Sequence, residues 1–217
     1  MTILKNKVFL VFILLTVRLT VYGQQAALPE QKDRWFIQPD GSITWPVNGK
    51  LPHADHIEMS GEQVSLWLDY RVDSAGATSI NRKVLFPMFR MLPDETRSHI
   101  GYTFDDNELP RIYINNRLLK TDKSGDLAPV TKSINHHGIM RVLAETGNPA
   151  VKIERSLFPS VDKPMAIEKF VFTNTGNKPV TVSMEKLNRA VTTDTLRSKL
   201  SPHTVIMKTV NECRRAL

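Results

Sequence analysis

From Val64 to Val72 the chain reads Val-Ser-Leu-Trp-Leu-Asp-Tyr-Arg-Val, and this strict alternation is what most constrains the fold. Side chains in an extended strand point alternately to opposite faces, so Val64, Leu66, Leu68, Tyr70 and Val72 share one face. Trp67 falls on the other. Asp73-Ser74-Ala75-Gly76 closes the run, and Ser79 to Phe86 returns as a second strand that Pro87 ends or confines to an edge.

The same grammar recurs along the chain. Trp35-Phe36-Ile37 and Ile43-Thr44-Trp45 flank Pro39-Asp40-Gly41, a hairpin signal that sets Ile37 opposite Ile43 and Trp35 opposite Trp45. Arg111 to Ile114 and Arg117 to Leu119 flank an Asn115-Asn116 turn. Strands are expected at Gly138 to Ala144, Val151 to Phe158, Ala166 to Thr173 and Val180 to Leu187. The connectors between these four are rich in Gly, Pro, Asn and Asp, which supply the dihedrals that turns demand. Helical periodicity is weak except around Met184 to Leu200. The sum is an all-β fold, an antiparallel β-sandwich of the super-sandwich type with little helix.

The first residues carry a separate message. Lys5 and Lys7 precede the apolar run Val8 to Val17, which is too short to span a bilayer comfortably, and Val21-Tyr22-Gly23 offers a small residue for cleavage. Residues 1–23 therefore read as a secretory signal peptide, with an uncleaved membrane anchor as the alternative. Arg18, between the apolar run and Gly23, leaves the cleavage site open. The chain divides into the signal (1–23), a linker (24–34), a β-sandwich domain (35–200) and a segment (201–217) that is a tail or the start of something further. Periplasmic or extracellular localisation follows, with no stable membrane span after cleavage.

The net charge of +7 owes three units to the signal, which holds Lys5, Lys7 and Arg18 and no acid. The remaining basic residues are scattered among acids, which speaks against a nucleic-acid partner. With Cys213 as the single cysteine no internal disulfide can form, so stability rests on packing.

No catalytic motif emerges. His53, Asp55, His56 and Glu58 could crowd a metal or a polar ligand, but their spacing matches no zinc motif; polar residues in a Pro-bounded loop entering a strand is the plainer reading. His136-His137 is read as a turn before Gly138. Asp105-Asp106-Asn107-Glu108 reads as a solvated loop, and the many acids cannot be paired into a glycosidase dyad from sequence. Ser60 and Ser133 lack a nucleophile elbow. No cofactor or metal is called for. Candidate carbohydrate contacts are Trp35, Trp45 and Trp67, whose indole faces suit the C–H faces of sugars, with His56 and Glu58 beside them; for Trp35 and Trp45 a place in the core is the competing reading.

Asp55 to Gly61, Val64 to Tyr70 and Asn81 to Pro93, with Glu154 to Pro159 and Glu168 to Asn174, resemble the N-terminal region of secreted six-hairpin glycosidases. These are the glycogen-debranching-like and rhamnosidase-like enzymes of polysaccharide-degrading Bacteroidetes. The resemblance covers most of residues 35–190. It implies an antiparallel super-sandwich packed against a C-terminal (α/α)6 barrel that carries the catalytic acids. The sequence ends at Leu217 without those helices, so the expectation is a truncated piece, inactive alone, and no catalytic residue is carried over. The leading functional expectation is thus a non-catalytic β-sandwich domain of an exported carbohydrate-active enzyme, with a poly- or oligosaccharide as partner. The alternatives are a free-standing carbohydrate-binding module and a cell-envelope structural protein, since sandwiches host many functions.

Overall fold

The computed structural model describes residues 34–47, 51–85, 102–120, 127–192 and 204–209. All of them belong to one compact unit, Arg34–Leu217. The signal peptide, nearly all of the linker, Pro87 and Cys213 lie outside the described residues.

The fold is all-β and antiparallel, as the alternation predicts. A six-stranded sheet runs in the order β1 (Phe36–Ile37), β2 (Ile43–Pro46), β9 (Val130–His136), β10 (Met140–Thr146), β11 (Val151–Pro159) and β12 (Ala166–Asn174). A four-stranded sheet is built in chain order from β3 (His53–Ser60), β4 (Ser65–Val72), β5 (Thr78–Leu85) and β6 (Tyr102–Phe104). The three-stranded sheet orders β13 (Val182–Met184), β7 (Ile112–Ile114) and β8 (Arg117–Leu119), and β14 (Asn188–Thr192) pairs with β15 (Thr204–Lys208). A 3₁₀ turn at Asp106–Glu108 follows β6.

Local chemistry explains the hairpins. Ile37 faces Ile43 across β1 and β2, and Gly41 takes φ +80° at the bend, where a side chain would be strained. Between β7 and β8, Asn115 and Asn116 both adopt positive φ, at 50° and 63°, the conformation that a two-residue hairpin of matching twist requires. Asparagine tolerates it better than most residues.

The alternating face of β4 supplies the centre of the core. Leu66, Leu68, Tyr70 and Val72 join Met59, Ile80 and Val84 from the same sheet, and Trp45, Ile134, Met140, Val142 and Leu157 from the six-stranded one, in a single buried cluster. Burying each such side chain contributes about 1.5–3 kcal/mol. A second cluster, Ile114, Leu127, Val151 and Ile153, attaches the three-stranded sheet to the far end of the six-stranded one. A buried hydrogen bond of 2.6 Å between the hydroxyls of Thr78 and Thr131 links β5 to β9.

Four local expectations need correction. His53 to Glu58 is strand throughout, because its cross-strand partners run from Val72 to Trp67 without a break. His136 ends strand β9, which the turn-like pair His136-His137 concealed. Of Val180 to Leu187 only Val182–Met184 pairs. Where helical periodicity was strongest, β14 forms instead and bonds to β15 inside the stretch read as a tail. Among the described residues no helix is long and apolar enough to cross a membrane.

Candidate functional site: the outer face of the four-stranded sheet

The phase that buries Leu66, Leu68 and Tyr70 sends Trp67, Asp69 and Arg71 to the opposite face. Pairing then assembles rows across the sheet. Glu58, Trp67 and Lys83 form one, His56, Asp69 and Asn81 the next, and Ala54, Arg71 and Ser79 a third. Residues from three successive strands are thereby brought into single rows.

Within this face the His56 and Trp67 rings are stacked nearly parallel, their centroids 4.8 Å apart and their planes 5° from one another. The Trp67 indole donates from Nε1 to Oδ1 of Asp69 at 2.7 Å, which fixes the ring's orientation. The His56 side chain remains 58% exposed, so the composite platform is open on its outer side. An open groove of about 580 Å³ runs over the second and third rows and is walled by Asp105 and Asn107. That wall is a capped turn: Asp105 accepts from the backbone of Asn107 at 2.8 Å and from its side chain at 3.2 Å.

Asp106 of the same turn faces inward. Its Oδ1 accepts from Nη2 of Arg82 at 2.7 Å and of Arg155 at 2.5 Å, and its Oδ2 accepts from the Ile80 backbone at 2.9 Å. Glu168 of β12 completes a quartet, accepting from both arginines. Two cations and two anions are thus balanced where the four- and six-stranded sheets meet. Burial pushes the Asp106 and Glu168 carboxyls up from their ordinary values, against the pull of Arg82. The quartet anchors the turn that walls the groove.

Three of the residues singled out from the sequence, Trp67, His56 and Glu58, come together on this face. Trp35 and Trp45 lie elsewhere. They are neighbours, with centroids 6.1 Å apart, but Trp45 is 1% exposed and Trp35 packs half-buried against the core. The pair therefore makes no open platform; Trp45 belongs to the buried core cluster and Trp35 packs against it. The strand separates His53 from His56 and Glu58, and among the described residues no group of three or more His, Cys, Asp or Glu is arranged to hold a metal ion. The Asp105 to Glu108 run is not simply a solvated loop, since Asp106 belongs to the quartet and Glu108 accepts from the Tyr102 hydroxyl at 2.9 Å.

Asp69, Arg71 and Asn81 were not singled out from the sequence, although their spacing of two or four residues from Trp67 or Lys83 places them on its face. Arg82, Asp106, Arg155 and Glu168 carry no local signal, because their partners in the quartet are 13 to 86 residues away. Chemically the face offers an aromatic surface edged by carboxylate, amide and guanidinium groups. No protein-family model matches this chain, and neither a curated protein nor a solved structure does.

Proposed function

We propose that this chain is a non-catalytic β-sandwich domain of an exported carbohydrate-active enzyme, of the six-hairpin glycosidase kind, and that it holds a saccharide on the outer face of its four-stranded sheet. The observation that carries the reading is the His56–Trp67 stack beside Asp69 at the rim of an open groove. A pyranose presents an apolar C–H face and a girdle of hydroxyls. An aromatic plane meets the first, and Asp69, Asn81 and Arg71 can hydrogen-bond the second. Catalysis belongs, on this reading, to a partner domain, and the place of work is the periplasm or the cell exterior.

The test is affinity electrophoresis of the full chain through gels containing α-glucan, xylan or pectin. Retardation by at least one of them is expected, with affinity about tenfold lower, or ~1.4 kcal/mol, in Trp67→Ala. Thermal melts of the variant should match the parent, because the ring lies outside the core. Trp45→Ala, by contrast, should cost about 3–5 kcal/mol of stability. No retardation by any of the three, or retardation that survives Trp67→Ala and His56→Ala, would refute the binding face. Turnover of α-glucan or rhamnoside substrates that one Asp or Glu substitution abolishes would refute the non-catalytic role.

A further inference from the structure

On the inner side of the sheets, four groups from separate segments meet. Arg34 precedes β1, Trp45 lies on β2, His53 on β3 and Tyr70 on β4. The His53 ring meets Trp45 edge-on at 4.9 Å and Tyr70 at 6.0 Å, and the Arg34 guanidinium lies over the Trp45 ring at 5.3 Å. Arg34 Nη1 donates to His53 Nδ1 at 2.8 Å. Among the described residues, five buried side-chain polar atoms lack a hydrogen-bond partner, and four of them are here: Arg34 Nε, Trp45 Nε1, His53 Nε2 and Tyr70 Oη. Trp45 and Tyr70 are only 1% and 2% exposed. Buried polar groups are normally paired, so this concentration calls for a partner.

The partner's chemistry follows from the direction of the bonds. A guanidinium only donates, so Nδ1 of His53 accepts and its proton sits on Nε2. Burial and the adjacent Arg34 both lower the His53 pKa, which keeps the ring neutral. Three of the four orphaned atoms are then obligatory donors, and the fourth is a hydroxyl. No carboxylate among the described residues hydrogen-bonds Arg34. Among the described residues Asp55 approaches the cluster, but its Oδ2 is 3.9 Å from His53 Nε2 and its Oδ1 accepts from the His56 backbone at 2.8 Å.

We infer that the Arg34–Trp45–His53–Tyr70 cluster is a binding site for a compact oxyanion, a carboxylate or phosphate group carried free or on a saccharide, entering from the side of Arg34 and His53. Donors without acceptors, beside a guanidinium that no carboxylate among the described residues hydrogen-bonds, fit such a group. Asp55 is the internal competitor. Its removal should favour the external anion.

The test is a series of thermal melts of the full chain at pH 7.5 and matched ionic strength in sodium chloride, inorganic phosphate, glucuronate, or chloride with glucose. A saturable rise of about 3 °C is expected in phosphate, in glucuronate or in both. Phosphate alone points to a free ion, and glucuronate alone to the acid group of a sugar. Arg34→Met and Tyr70→Phe should abolish the rise, and Asp55→Asn should enlarge it. Tyr70→Phe keeps the ring, so it tests the hydroxyl without emptying the core. The idea fails if the rise is absent, occurs equally in glucose, or persists in both variants. It also fails if Asp55→Asn destabilises the chain and leaves it unresponsive, which would make Asp55 itself the partner. Trp67→Ala should leave the rise unchanged, so failure here and failure of the outer-face reading are distinguishable.

Discussion

Arg82 on β5 holds Glu168 on β12 through two nitrogens, Nε at 2.8 Å and Nη2 at 3.1 Å, although the residues lie 86 positions apart. Arg82 is 1% exposed, so its charge depends on its partners and not on water. Removing one partner from a buried pair leaves an uncompensated charge and costs about 3–5 kcal/mol. Glu168→Gln should therefore lower unfolding stability by that amount in urea titrations. Combining it with Arg82→Met should recover part of the loss. A double variant that is less stable by the sum of both singles would contradict this account.

Stability should also fall on mild acidification, and two histidines give the reason. Burial lowers the pKa of both, with Arg34 adding to the effect at His53 and His137 at His136. Below about pH 6.5 the unfolded chain takes up protons that the native state refuses, so its free energy drops relative to the fold. The histidine contribution is complete above that pH and is lost as pH falls through the lowered native values. Urea midpoints should decline from pH 7.5 to pH 5.5, and less steeply in His53→Gln. An identical slope in the variant would remove His53 from the explanation.

How far the sequence reached depended on whether the relevant force was local. The β4 pattern carried its own answer: Leu66, Leu68, Tyr70 and Val72 are all 2% exposed or less, and Trp67 lies across the sheet from them. Turn chemistry was equally legible, in Gly41 and in Asn115-Asn116. His53 to Ser60 was less so, because β3 is an edge strand and its polar residues mask the period. The platform was half visible. Trp67, His56 and Glu58 could be singled out by residue type, but only the register between β3, β4 and β5 sets them with Asp69 and Asn81. The quartet was invisible, since an Asp in a charged run looks solvated until a distant arginine is brought to it.

A glycine marks a second place where separate parts of the fold touch. Gly61 opens the turn between β3 and β4, and a Cβ built there would lie 1.9 Å from the backbone oxygen of Ser160, in the connection between β11 and β12. The neighbouring bond, Glu62 N to Val161 O at 2.8 Å, holds the same two turns together. Backbone cannot yield as a flexible side chain does, so Gly61→Ala must push the Ser160 turn away and loosen that bond. A cost of about 1–3 kcal/mol is expected, the usual range for overpacking a filled site. Gly147, in the turn between β10 and β11, is the control: a Cβ there meets nothing within 4 Å, and its φ is ordinary. Gly147→Ala should be neutral or stabilise by up to about 1 kcal/mol, because it restricts the unfolded chain at no steric cost. Chemical denaturation of the two variants side by side separates close approach from glycine's general flexibility. Equal effects would mean that the contact with Ser160 does not hold the two turns together.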